Sequence, residues 1–330
     1  MKEDRTSAHA VPGTGVSPEQ MHEAEQRIRR MVAEGACDLH LHTNASDGTT
    51  PPDVLVRMVA AGGLRAFSVT DHDTIAALPV VRAELEEIGE NAPQFVPGVE
   101  LSVDYEVRPG RAIEVHLLGY FPLGGIEAVE DWLREMRGHR RERNRQMCSL
   151  LTRLGMPITL EELEAEGEIP DAEEDPGDRP DGDIVVGRVQ AANILVRKGF
   201  AQDRRDAFNR YLGPGRPGYA PRERPGLRSA IEFLASHGGL PVLAHPHVYR
   251  WTGDAAGLEG HLLVDVLRKL HGWGLSGVEA FHGEATPEVR AEVLAAGLAA
   301  GLLITAGSDF HGGNKHAAMY TAETDFSAGL

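Results

Sequence analysis

Seven short apolar runs rich in Val, Ile, Leu and Phe recur along the chain, at about 37–42, 66–70, 95–101, 113–119, 241–245, 277–281 and 302–307. Each has the length of a buried strand. Segments of helical period lie between several of them. The clearest starts at Thr50, carries Pro51 and Pro52 in its first turn, places Val54, Leu55, Met58 and Val59 on one face, and stops at Gly62-Gly63. Such alternation implies parallel strands with right-handed crossovers, which leaves an open sheet or a barrel.

Polar donors collect where these runs end. Asp38-Leu39-His40-Leu41-His42 is followed by Ser46-Asp47-Gly48; further along come Asp71-His72-Asp73, Gly98-Val99-Glu100, Glu114-Val115-His116, Ala244-His245-Pro246 and Ser308-Asp309-Phe310-His311. Six histidines, two aspartates and one glutamate among them make a donor set suited to borderline divalent ions, and larger than one ion can use. More than one ion is expected, with Mn, Fe and Zn as candidates. Most of the donors lie at or just past the C-terminal ends of the runs, which converge on one mouth in a barrel and would be spread apart in an open sheet. His40 and His42, two apart on one strand, point to the same face. The expected fold is therefore α/β: a distorted seven-stranded (β/α) barrel with an inserted, mainly helical subdomain. Residues 1–35 form an N-terminal extension with an amphipathic stretch around Met21, Ile28 and Met31; residues 36–125 and 225–330 form the barrel, and 126–224 the insertion.

Within the insertion, Trp132, Leu133, Met136, Met147, Leu150, Leu151 and Leu154 repeat at helical spacing. The opposite face carries Arg134, Arg137, Arg140, Arg141, Arg143 and Arg145, either solvated or lining the approach of a phosphate-bearing substrate. The net charge of −17 is largely local. Between Glu161 and Asp183 there are 12 acidic residues against Arg179 alone, a contribution of −11 that leaves −6 elsewhere, and interspersed Pro and Gly mark a mobile surface loop. Cys37 and Cys148 are too few for a disulfide framework and read as small buried or half-buried hydrophobes. No apolar stretch approaches the roughly 20 residues of a membrane span, and no secretory signal precedes Gly35, so a cytoplasmic protein without membrane partners is expected.

The order HxH, SDG, TDHD, GVE, EVHLLGY, AHP and SDFHG resembles the PHP family, named for polymerase and histidinol phosphatase, over nearly all of Asp38 to Gly313. Tyr211-Leu212-Gly213-Pro214-Gly215 and the helical insertion look like its branch of stand-alone phosphoesterases acting on nucleotides, including nucleoside 3′,5′-bisphosphate phosphatases and a related 5′-3′ exoribonuclease. The resemblance implies one ion on His40, His42, Glu100 and Asp309, a second on Glu100, His116 and His245, and a third on Asp47, His72 and His311. Each ion would have nitrogen and oxygen donors and open positions for water and phosphate. The implied reaction is attack of a metal-bridging hydroxide on phosphorus, centred on Glu100, His40, His42 and Asp309, with no side-chain nucleophile. Asp38, Asp71 and Asp73 are expected to orient ligand histidines, and Ser46 and Ser308 to supply hydrogen bonds around the ligands.

Where the branch shows Gly-Arg-Pro-His, this chain reads Gly187-Arg188-Val189-Gln190. Arg188, Gln190, His282, Arg216 and Arg222 are the expected substrate contacts. The expected substrate is a small phosphorylated metabolite, most plausibly a nucleotide, with short RNA or DNA oligonucleotides or histidinol phosphate as alternatives. An aromatic content of 5% argues against long nucleic acids. An amidohydrolase would begin with a similar HxH, but no lysine in the strands offers the usual bridge; a non-catalytic metal module is disfavoured by the full donor set. Oligomeric state is not read from the sequence.

Overall fold

The computed structural model describes residues 17–166, 185–253, 256–324 and 326. Among the described residues eight strands form two sheets, which replaces the expected single set of seven. β1 (Cys37–Leu41), β2 (Ala66–Val69) and the two-residue β3 (Gln94–Phe95) pair in parallel. β4 (Gly98–Arg108), β5 (Arg111–Tyr120), β6 (Leu240–Leu243), β7 (Gly277–His282) and β8 (Leu303–Gly307) follow one another in the second sheet. There β6, β7 and β8 are parallel, whereas β5 is antiparallel to both β4 and β6. The reason is chain length: only Pro109-Gly110 joins β4 to β5, with Gly110 at φ 78°, and a parallel pair needs a crossover of roughly a dozen residues or more.

Backbone hydrogen bonds stitch the two sheets together just past the C-terminal ends of β1, β2 and β8 and at the start of β4. On one side Asp309 N–H donates to His40 O at 2.9 Å and His42 N–H to Phe310 O at 3.0 Å. On the other, Glu100 N–H donates to Asp71 O at 3.2 Å and Asp73 N–H to Glu100 O at 3.0 Å. Both seams run through candidate ligands, so the pairing that joins the sheets also gathers the donors.

Helix α1 (Pro18–Glu34) starts from a capping box, Ser17 with Gln20, and buries Ala24, Ile28, Met31 and Val32 against β6 and β8. Helix α2 (Pro52–Ala61) ends at Gly62 as the sequence indicates but starts later than the expected Thr50, with Pro51 at its N-cap, and its inward stripe is Pro52, Leu55, Val56 and Val59. Val54, expected on that face, is one step off the 3–4 spacing and is 38% exposed. After α3 (Leu78–Ile88), the 24-residue helix α4 (Glu130–Arg153) bridges two cores. Leu133 and Met136 join the main one, while Met147 and Leu151 join a second with Ile158, Leu163, Ile194, Leu195 and Leu212. That second core is built from α5 (Leu160–Ala165), α6 (Arg188–Arg197), α7 (Arg204–Ala207) and a π-helical turn over Phe208–Leu212. The start of the acidic window is thus helical, capped by Thr159, whose hydroxyl accepts from Glu162 N–H at 3.1 Å; residues 167–183 of that window lie outside the described residues. Helices α8 (Leu227–Ser236), α9 (Leu263–His271) and α10 (Pro287–Ala299) complete the chain, α8 lying on β4 to β6 and α10 on β7 and β8. Both cysteines are free and buried. Among the described residues no helix is long and apolar enough to cross a membrane.

Candidate metal centre

All nine donors singled out from the sequence meet at the seams. Glu100, fully buried on β4, is the hub: its Oε2 lies 3.2 Å from His40 Nε2, 3.1 Å from His42 Nε2 and 3.1 Å from His72 Nδ1, and its Oε1 lies 2.9 Å from His116 Nδ1 and 3.1 Å from His245 Nε2. Asp309 Oδ1 is 3.5 Å from both His40 Nε2 and His42 Nε2. Asp47 Oδ1 is 3.1 Å from His311 Nε2, and its Oδ2 is 3.8 Å from His72 Nε2. Three compact groups could each hold an ion: His40, His42, Glu100 and Asp309; His72, Glu100 and His116; and His42, Asp47, His72 and His311. The first is the expected set. The other two share His72 and His42 more widely than expected, and His245 touches Glu100 from outside the compact groups.

Seven of these side chains carry a buried polar atom with no hydrogen-bond partner: His40 Nε2, His42 Nε2, Asp47 Oδ1, His72 Nδ1, Glu100 Oε2, Asp309 Oδ1 and His311 Nε2. Buried polar atoms are otherwise almost always paired, because an unmade bond costs roughly 1–3 kcal/mol. Seven orphans converging within one cluster fit cations that supply the missing partners. Protonation suits this as well. Burial alone would raise Glu100, but the imidazoles of His72, His40 and His116 hold it well below the usual carboxylate range. Asp309 is likewise held low against burial by Lys315, His40 and His311, and Asp47 by His311, His72 and His42. Burial lowers His245 to about 4, leaving a neutral ring.

The supporting contacts differ from expectation in one respect. Asp38, Asp71 and Asp73 do not bond a ligand imidazole. Asp38 accepts from the amides of Ser308 at 2.8 Å and Tyr320 at 3.0 Å; Asp71 from Thr43 N–H at 2.8 Å and the Ser46 hydroxyl at 2.6 Å; Asp73 from Ser102 N–H at 3.1 Å and from Arg140 and Arg222. They fix loops and arginines. The carboxylate that orients a ligand is Glu279 on β7: Oε1 is 2.9 Å from His40 Nδ1 and Oε2 accepts from His245 N–H at 2.9 Å. A glutamate inside the apolar run Val278-Glu279-Ala280 was the available signal. Gly307 faces this pair, and a Cβ there would lie 2.2 Å from His40 Cβ and 2.6 Å from Glu279 Oε1, so only glycine fits. Asp309 at φ 58° and His245 at φ 27° hold the left-handed backbone that non-glycine residues usually avoid, a strain found at functional sites. Replacing Glu279 by Gln keeps the shape and removes the charge behind His40; metal affinity, measured by chelator competition, should fall about tenfold, and an unchanged affinity would remove Glu279 from this role.

Beside the donors opens a cleft of about 140 Å³, lined by Asp47, His72 and His116 together with Arg140, Arg143, Arg188, Arg222 and Arg224. The basic face of α4 is therefore divided: Arg134, Arg141 and Arg145 are exposed, whereas Arg140 and Arg143 turn into the cleft. Arg222 Nη1 donates to Asp73 Oδ2 at 2.8 Å, and Arg188 and Arg224 share Glu114 at 3.3 and 3.2 Å. Arg143 differs. It is 6% exposed, its Nε has no hydrogen-bond partner, and no carboxylate among the described residues pairs with it. Burial, with Arg140, Arg188 and Arg222 nearby, pulls its pKa well below the ordinary arginine value.

Of the expected substrate contacts, Arg188, Arg222 and Gln190 line the cleft. Both ends of the Gln190 amide are already engaged within the protein, Oε1 accepting from Gly187 N–H at 2.8 Å and Nε2 donating to Ser46 O at 3.2 Å. His282 is buried behind Asp309, with Nε2 at 3.3 Å from Oδ2, and does not line the cleft. Arg216 is exposed in the loop after the π-helical turn and is not brought to the cleft. Arg224 and Glu114 line it without having been singled out, as does Phe208, and Lys315 Nζ reaches Asp309 Oδ2 at 2.5 Å.

The chain is similar to several known proteins. Residues 38–153 match the PHP domain. The chain is 32% identical over 274 residues to the 5′-3′ exoribonuclease Rnm of Escherichia coli, covering 83% of this chain and 84% of that one. It is 29% identical over 275 residues to the 3′,5′-nucleoside bisphosphate phosphatase of Chromobacterium violaceum, covering 83% and 86%. Among solved structures it is similar to a candidate metal-dependent phosphoesterase from Bifidobacterium adolescentis, with a TM-score of 0.68 and 28% identity over 86% of this chain and 90% of the other.

Proposed function

Because the chain belongs to the PHP family, we propose that it is a metal-dependent phosphoesterase whose substrate is a nucleotide, a nucleoside bisphosphate or monophosphate or the phosphorylated end of a short oligonucleotide. The observation that carries this reading is the abutment of two features: a cluster of orphaned imidazole and carboxylate atoms, and a cleft walled by five arginines. His40, His42, Glu100 and Asp309 would hold one ion, Glu100 and His116 with His72 or His245 a second, and Asp47, His72 and His311 a third. Bound Mn, Fe or Zn would supply a nucleophile from water near neutral pH and neutralise charge on the phosphate oxygens. The chain's own part is positioning. Arg143, Arg188 and Arg222 present guanidinium donors suited to phosphate oxygens, and α6 starts at the same wall with its positive end.

The cleft is small, and among the described residues Phe208 is the one Phe, Tyr or Trp in its lining. A long strand would need an extended basic track with several stacking rings, so one phosphorylated end is the better fit. Histidinol phosphate is the competing small substrate, since fold alone does not choose between phosphate esters. The experiment is a phosphate-release screen on protein loaded separately with Mn, Zn and Fe, over nucleoside 3′,5′-bisphosphates, monophosphates, histidinol phosphate and short 5′-phosphorylated RNA. Nucleotides or short RNA should be turned over, and a chelator should stop the reaction. Inertness toward every ester with all three metals, or preference for histidinol phosphate, would overturn the reading.

A further inference from the structure

The insertion grips the loop that carries Asp47 from two sides. Val185 N–H donates to Ala45 O at 3.2 Å, and Gln190 Nε2 donates to Ser46 O at 3.2 Å. From the other side, Arg204 Nη1 donates to Asn314 Oδ1 at 2.8 Å, and Asn314 Nδ2 donates to Asp47 O at 2.6 Å. Ser46 in turn places its hydroxyl 2.6 Å from Asp71 Oδ1 and 3.5 Å from His42 Nδ1. Within the loop, Ser46 and Gly48 N–H both donate to Thr43 O, and the contacts from Val185, Gln190 and Asn314 anchor that turn to the insertion and to the last ligand segment.

Gln190 occupies a special place among them. It is 4% exposed, and its Oε1 accepts from Gly187 N–H at 2.8 Å, which caps α6 just where Arg188 enters the cleft. A Cβ on Gly187 would sit 3.3 Å from Arg140 Nη1 and 3.6 Å from Arg143 Nη2, so the start of α6 rests directly on the guanidinium groups. One amide therefore ties the arginine wall, through Gly187, to the backbone next to Asp47. An anion held by Arg143 and Arg188 would bear on the start of α6, and the Gln190 amide would pass that constraint to the Asp47 loop.

The geometry points to Gln190 as a positioning residue that couples anion occupancy of the arginine cleft to cation binding by Asp47, His72 and His311. The coupling is reciprocal, as linkage requires: whatever factor the anion adds to ion affinity, the ion adds to anion affinity. It rests on the phosphoesterase reading only in taking the cleft as an anion site, and its test needs no turnover.

The test titrates Mn(II) into the full chain by calorimetry with and without saturating sulfate, used as a tetrahedral dianion. Sulfate should tighten the weakest Mn(II) site about tenfold. Gln190→Met keeps length and buried volume but removes both polar contacts; its sulfate effect on that site should shrink to less than about twofold, within the range of no coupling, with the stronger Mn(II) sites unchanged. If the variant does not fold, hydrogen exchange on the unaltered protein takes its place: sulfate should slow exchange of the amides of residues 44–48. An undiminished sulfate effect in Gln190→Met, no sulfate effect in the unaltered protein, or unchanged exchange in that loop would each overturn the proposal. A chain inert toward phosphate esters that still shows the coupling would separate this inference from the substrate reading.

Discussion

Glu100→Ala is expected to reduce phosphate release by at least about a thousandfold, the scale associated with losing a central electrostatic group. Glu100 belongs to two of the three donor groups and touches five imidazoles within 3.2 Å, so its loss removes the shared corner of both. Metal content by mass spectrometry should fall together with rate, whereas removal of a group that only contacts substrate would spare the metals. A second consequence follows from charge. Burial disfavours the Glu100 carboxylate, but His72, His40 and His116 hold its pKa well below the ordinary value. A carboxyl depressed in the folded state contributes stability that is present above its unfolded pKa and lost as pH falls through the folded one. At neutral pH that contribution is fully present, so the metal-free variant should melt at lower temperature than the metal-free parent. Full activity, or an unaltered metal content, would refute the hub role.

Much of this centre was readable in the chain because its donors end apolar runs, and a strand end is where a polar side chain escapes the core while the backbone stays fixed. His40 is the penultimate residue of β1, and His42, His245 and Asp309 fall just past the ends of β1, β6 and β8, whereas Glu100 lies near the start of β4 and was marked instead by its place in the apolar run. Three things were harder to read. The antiparallel turn of β5 was present in Pro109-Gly110, yet two buried strands look alike whichever way they run. Glu279 looks like a flaw in an apolar run until His40 is known to lie against it. The fate of the arginines on α4 depends on α6, some fifty residues later, since helical period tells which side chains share a face but not what covers it. Arg216 failed for the same reason in reverse: it sits near the right motif in sequence and on the solvent side in space.

Arg143 yields the more discriminating expectation, because its two effects have opposite signs. Arg143→Met should weaken nucleotide binding by about 10- to 100-fold, the loss of one charge-assisted contact to phosphate, read as a rise in KM or in the Kd of a competing anion. The same substitution should raise the melting temperature of the ligand-free protein. Arg143 is 6% exposed, its Nε is unbonded, and no described carboxylate pairs with it directly, Glu114 acting on it only from a distance; removing a buried cation without a direct partner relieves a desolvation cost of roughly several kcal/mol. Arg222 supplies the contrast. It is also buried, but it donates to Asp73 at 2.8 Å, and Arg140 and Arg222 together keep Asp73 well below the usual carboxylate range against burial. Arg222→Met should therefore weaken binding and lower the melting temperature, since it strips a partner from a buried carboxylate. A structural role for Arg143 would make the two variants behave alike, both losing stability; an anion site kept ready at the expense of stability makes them diverge.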